Sequence, residues 1–265
     1  MSLAPLSLLD LAAASVLAVA AGGMSLACRL GVERQLAVAV AGTAAQLLAA
    51  GWLIKLALEH SSLLPALVLA VVMVLAAGRQ VLIRQQYDLG GWRTYLLGTG
   101  AVLAAGVTVT VFTLAAVIGP QRWWDPRFVL AILGLILGNA LVSAGAVLDA
   151  LIEGLRSERA SIEARLALGA GRIEALEAPL RNALRCGLMP AIGTITTAGA
   201  VLMPGLMAGQ VLAGADPLEA AKLQIAMLLA FAGASALAAV VAAAGATLML
   251  TDRRHRLRLE RLSRR

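Results

Sequence analysis

Few side chains in this sequence have the type and spacing to make or break a bond. A phosphate-cradling loop needs Gly-Lys followed by Ser or Thr, yet neither lysine, Lys55 or Lys222, follows a glycine. The chain is therefore read as a non-enzyme that binds no cofactor of its own. Cys28 and Cys186 form no Cys-x-x-Cys or Cys/His pattern, so neither a disulfide nor a metal cluster is indicated. No Ser/His pair or pair of aspartates falls at helical spacing inside an apolar run, and no acidic residue lies deep in one. An intramembrane enzyme and a gradient-driven carrier are both weakened by that absence.

What remains are groups suited to binding or bending. In Met203-Pro204-Gly205 the proline removes a backbone hydrogen bond and the glycine relaxes the helix. The break either opens backbone groups to a substrate cavity or is a packing kink. Met203, Pro204, Gly205, Met207 and Gln210, with Asn139 on another apolar run, are the pathway candidates. Thioethers suit soft ions, so Met189, Met203 and Met207 read as core filling, and no metal ligands are assigned. Gly134-x-x-x-Gly138 and Gly205-x-x-x-Gly209 have the small-residue spacing of close helix crossings, within the chain or across a homodimer. Asp10, Glu59, His60, Asp216 and Glu219 fall near one face, as solvated charges or as a release site for a hard ion.

The elements that must position these groups follow from the composition. The chain has 265 residues, 60% hydrophobic and 14% charged, with a mean hydropathy of +0.87. Runs of roughly 20 apolar residues cross a bilayer as helices, because unpaired backbone groups in lipid cost several kcal/mol. Seven such runs are read, near 6–28, 36–58, 63–77, 96–118, 128–148, 188–212 and 221–250. The predicted fold is all-α, polytopic, with about seven transmembrane helices in a single domain over 1–250. No basic residue precedes the first run, so it is read as a retained anchor.

Segments 29–35, 78–95, 149–187 and 251–265 hold 18 of the 22 lysines and arginines. That asymmetry makes their side cytoplasmic, with the N-terminus outside and the C-terminus inside. Residues 251–265 form a basic cytoplasmic tail expected to meet anionic lipid headgroups rather than nucleic acid. Trp52, Trp92, Tyr95, Trp123 and Trp124 near run ends read as interfacial belt residues.

The one long hydrophilic segment, 149–187, balances 6 Arg against 6 acidic residues, which suits solvated helix faces. Leu148, Leu151, Ile152 and Leu155 continue the fifth run, while Ile173, Leu176, Leu180 and Leu184 stripe the approach to the sixth. Between them Glu163-Ala164-Arg165-Leu166-Ala167-Leu168-Gly169-Ala170 reads as a short helix with a glycine stop. It is either a plain amphipathic connector or something more specific. Its Glu-to-Gly spacing resembles the coupling loop of ABC permeases, with Arg165 where that signature has a second Ala, and with Pro190 opening the next run.

The stretches Gly134-Leu-Ile-Leu-Gly-Asn139, Leu166-Ala-Leu-Gly-Ala170, Met203-Pro-Gly-Leu-Met-Ala-Gly-Gln210 and Gly214-Ala-Asp-Pro-Leu-Glu-Ala220 broaden that likeness. With Gln224-Ile225 and Gln46-Leu47, they resemble the FetB-type ABC permease family over about residues 35–250. The resemblance implies an arginine before Thr43, where this chain has Gly42. It also implies an iron exporter of the bacterial inner membrane, working as a homodimer with a separate ATPase subunit that uses the ATP. A plant aluminium-tolerance half-transporter is a relative of that family. Glu163, Ala164, Arg165, Leu168, Gly169 and Ala170 would then be the ATPase-coupling residues. An organic solute such as a nucleotide sugar is the alternative cargo, and an ATP-independent secondary carrier is the alternative mechanism.

Overall fold

The structure is a computed structural model, and it describes residues 8–29, 31–59, 63–85, 87–88, 91–119, 125–200, 204–251 and 263–264. Its contacts divide the chain into two compact units, Met1–Ala66 and Leu67–Arg265.

Among its described residues the first unit holds helices α1 (Leu8–Ala27) and α2 (Glu33–Glu59) and the first turn of a third. The Ser25 hydroxyl donates to Glu33 Oε2 at 3.2 Å, tying the end of α1 to the start of α2. In the candidate span Glu33–Leu56 no residue is buried. Its apolar surface is therefore available to lipid, the solvent in which such a surface is stable.

In the second unit lie α3 (Leu63–Arg84, from Leu67 on), α4 (Trp92–Thr113), α5 (Pro126–Ser157), α6 (Arg159–Ala167), α7 (Arg172–Ala175), α8 (Glu177–Thr197), α9 (Gly205–Leu212) and α10 (Pro217–Leu250). A π-helical turn, Leu114–Ile118, prolongs α4. Among the described residues the chain is helical apart from a two-residue antiparallel pairing of Tyr87–Asp88 with Ser263–Arg264. Helix α5 packs on α4, α8 and α10, and α10 also packs on α4, α8 and α9. Gly106 of α4 faces Leu133 and Leu137 of α5, and Gly245 of α10 faces Leu97 of α4. Helix α8 runs antiparallel to α5, with Pro179 against Gly154 and Gly187 against Val147, and antiparallel to α10, with Gly187 against Ala239 and Leu180 nearer Leu248, so α5 and α10 run parallel to each other.

Among the described residues five helices are long and apolar enough to span: Glu33–Leu56, Ala66–Ile83, Trp92–Val117, Phe128–Ser157 and Pro217–Leu250. These match five of the seven predicted runs. For the first run the structure gives a shorter apolar stretch, Ser15–Ala27. The sixth is divided between α8, polar with Arg181, Arg185, Thr194, Thr196 and Thr197, and the eight-residue α9. The interruption falls between Thr197 and Gly205, around the predicted break, although Met203 itself lies outside the described residues. Pro190 does not open this run: it sits inside α8.

Local chemistry accounts for the helix ends. Asp216 caps α10, its Oδ1 accepting from the backbone N–H groups of Leu218 (2.9 Å) and Glu219 (3.1 Å). Pro217 fills the first turn, where no N–H is needed. Glu219 pairs with Lys222 at 2.7 Å. These two carboxylates are thus engaged in starting a helix; the side chains of Asp10, Glu59 and His60 lie outside those described. Asp216→Ala should cost about 1 kcal/mol, read as a shift in the unfolding midpoint in mixed micelles, whereas Asp216→Asn should keep most of the cap. Tyr95 is more than a belt residue: its hydroxyl donates to the Leu75 carbonyl at 3.3 Å, joining α4 to α3, and its ring lies 5.8 Å from that of Trp92.

Candidate functional site

Helix α5 has 32 residues, about 48 Å at 1.5 Å per residue, well beyond a hydrocarbon layer of about 30 Å. Its last turns pack against the short helices of the hydrophilic segment 149–187. Leu148, Leu151, Ile152 and Leu155 are fully buried there, together with Ile162 of α6 and Leu176 between α7 and α8. Pro179 of α8 packs on Gly154 of α5, its Cβ 3.0 Å from where a Cβ on the glycine would stand. The predicted helix, turn and helix are thus present and held from beneath by apolar contact.

Helix α6 is closed by the predicted glycine. Gly169 has φ +90°, open to glycine and strained for other residues. Its N–H donates to the Leu166 carbonyl at 3.1 Å, and the Ala170 N–H to the Arg165 carbonyl at 3.1 Å, the Schellman arrangement. Glu163 pairs with Arg159 at 2.8 Å on an exposed face. Such a pair is worth little in stability, so Glu163 is available to a partner at small cost. Ala164, Arg165 and Ala170 lie along the same short turn.

At the tip Leu168 is 88% exposed and Ile173 is 75% exposed. Two large apolar side chains in an otherwise charged segment have no folding role that explains their exposure. Ile173 was expected to continue the stripe of Leu176, Leu180 and Leu184. The short α7 instead turns it outward while Leu176 goes inward. Sequence reading also missed a cleft of about 970 Å³ between α7, α8 and α10, rimmed by Arg172 and Glu174 and walled by Leu180, Leu184, Val240 and Leu248. Its signal was the four-residue spacing of Leu180 and Leu184 and of Val240, Ala244 and Leu248.

The pathway candidates are not gathered into one place. Asn139 is half-buried on α5 and its Nδ2 donates to the Leu135 carbonyl at 3.0 Å. Pro204, Gly205, Met207 and Gln210 are on or beside α9, which packs on α10 and has no buried residue. Gly138, Gly205 and Gly209 have nothing within 4 Å of an added Cβ, so the predicted small-residue pairs do not mark the close crossings within this chain. Among the described residues no three His, Cys, Asp or Glu side chains come together as a metal site.

The sequence has relatives. A profile described as "Uncharacterised protein family (UPF0014)" matches residues 8–249. UPF0014 membrane protein slr1647 of Synechocystis is 33% identical over 161 residues, 60% of each chain. UPF0014 membrane protein STAR2 of Oryza sativa is 30% identical, covering 87% of this chain and 78% of its own length. The probable iron export permease protein FetB of Escherichia coli is 29% identical over 88% of both. No solved structure matches this chain.

Proposed function

Because the chain belongs to the UPF0014 family, we propose that it is the membrane-spanning permease subunit of an ABC transporter that exports iron or another metal ion. On this reading it works as a homodimer in the bacterial inner membrane, with ATP bound and hydrolysed by a separate ATPase subunit. Counting α1 and the interrupted α8–α9 with the five long helices gives seven crossings. The N-terminus is then outside, and the α6–α7 end and the basic tail are cytoplasmic, in line with the arginine asymmetry.

The observation that carries the reading is the exposed apolar tip, Leu168 at the end of α6 and Ile173 on α7, two short helices that pack on each other and, respectively, on α5 and α8. A helix held from beneath and apolar above can seat in a groove of a soluble partner. It can then pass that partner's motion to the two long elements it joins. The cargo follows from the similarity to a protein named as a probable iron export permease.

Affinity purification of the tagged chain in mild detergent tests the assembly. A soluble ATPase should co-purify in about equal amount, and its absence would overturn the reading in favour of a secondary carrier.

A further inference from the structure

Most hydroxyls on these helices satisfy themselves. Thr113, Thr194, Thr196, Thr197, Thr247 and Thr251 each donate to the carbonyl four residues back, at 2.6 to 3.0 Å. Ser143 on α5 and Ser235 on α10 do not: each is 1% exposed and its Oγ has no partner among the described residues. A buried hydroxyl left so costs about 1–3 kcal/mol, and lipid offers nothing to relieve it.

The two serines sit at one crossing. A Cβ added to Gly187 of α8 would overlap Val147 of α5 and stand 3.2 Å from the Ser143 carbonyl oxygen and 3.5 Å from the Ala239 Cβ of α10. Ser235 is one turn before Ala239, and side chains on parallel α5 and α10 both tilt toward their N-termini. The two hydroxyls therefore occupy about the same level. Two more polar groups lie within about a turn of this crossing along α8 and α5. Pro190 has no N–H, so the Cys186 carbonyl, next to Gly187, lacks its helical donor. Asn139, one turn before Ser143 on the same face, has committed its amide N–H to Leu135 and leaves Oδ1 as an acceptor. Thr110 and Gln224 also carry unpartnered oxygens, but Gln224 is about 17 Å from Ser235 along α10, too far to share a ligand.

We infer that Ser143 and Ser235, with the Cys186 carbonyl and Asn139, form a buried oxygen-lined site at the α5–α8–α10 crossing that holds water inside the membrane-spanning bundle. Its ligands are hydroxyl, amide and carbonyl oxygens, the set that replaces part of a hydration shell. As a station for polar cargo it rests on the transport reading; as a hydrated site it does not.

The test is thiol labelling of the full chain in native membranes, in a Cys28→Ser, Cys186→Ala background. Ser143→Cys and Ser235→Cys should react with a water-soluble methanethiosulfonate at least about tenfold faster than Ala144→Cys and Ala238→Cys, since reactivity follows access to water. Equal rates at the serine and alanine positions would overturn the proposal. Should the cysteine variants not accumulate, Ser143→Ala and Ser235→Ala decide it. Loss of a water-bonded hydroxyl lowers the melting temperature; an unchanged or raised one overturns the proposal. Labelling without a co-purifying ATPase would leave the site standing and remove the permease reading. An ATPase complex whose serine positions do not label would do the reverse.

Discussion

Replacing Gly78 with alanine should remove nearly all folded protein from the membrane, although alanine is the better helix former by about 1 kcal/mol. The added Cβ would overlap the Thr99 hydroxyl of α4 and come within 2.9 Å of the Thr99 Cα. A flexible side-chain end can swing aside, but a backbone atom cannot, so α3 and α4 would have to separate. Separation would undo more than one contact. Val81 packs on Gly98 from the other side, 3.0 Å from where its Cβ would be, and the Tyr95 hydroxyl reaches Leu75 across the same crossing. Overpacking costs typically about 1–3 kcal/mol when side chains can adjust, and here the rigid partner places the cost at or above the top of that range. Gly138→Ala is the control: nothing lies within 4 Å of its added Cβ, so it should fold normally. Size-exclusion chromatography of the two variants, fluorescently tagged, separates these outcomes directly. A monodisperse Gly78→Ala peak would mean that the crossing is looser than the structure has it.

That pair of glycines also shows what the sequence could and could not convey. Gly134 with Gly138, and Gly205 with Gly209, have the spacing expected of close crossings, yet three of these four have open space around them. Spacing along one helix says only that a smooth strip exists. Whether another backbone comes near depends on the partner helix, which is why Gly78, with no glycine four residues away, was invisible. Spans with continuous apolar runs, such as those of α4, α5 and α10, were legible because lipid imposes length and composition locally. The sixth run was legible only as a run. Its division into α8 and α9 was not, because the helix continues through Pro190, ends at Thr197 just before Gly199 at φ +79°, and starts again after Pro204. The α6 turn was readable from Gly169 because a positive φ is a local demand. The serine site was not, because Ser143 and Ser235 are 92 residues apart in sequence and come to one level only when α5, α8 and α10 pack together.

Under the proposed function, the double substitution Leu168→Asp, Ile173→Asp should strip the ATPase from the purified complex while leaving the membrane subunit folded. The two side chains are among the most exposed apolar groups of the second unit. Within the chain they contribute little burial, so charging them should barely move its unfolding midpoint. In a partner's groove the balance reverses. A buried apolar anchor is commonly worth about 2 kcal/mol, and a carboxylate forced into its place adds a desolvation penalty. The pair should therefore weaken association by at least about a hundredfold. Glu163→Gln should leave the unfolding midpoint nearly unchanged, since its exposed pair with Arg159 contributes little, so any loss of ATPase it causes reads a direct contact. Gly169→Val acts by another route, through the strain of a β-branched residue at φ +90°, and should reduce binding by displacing the tip rather than by changing its surface. Pull-down of the ATPase on the tagged chain, with the unfolding midpoint recorded for each variant, distinguishes the cases. Retention of the ATPase by the doubly charged tip would mean that any ATPase seats elsewhere, and Leu168 and Ile173 would no longer carry the assignment.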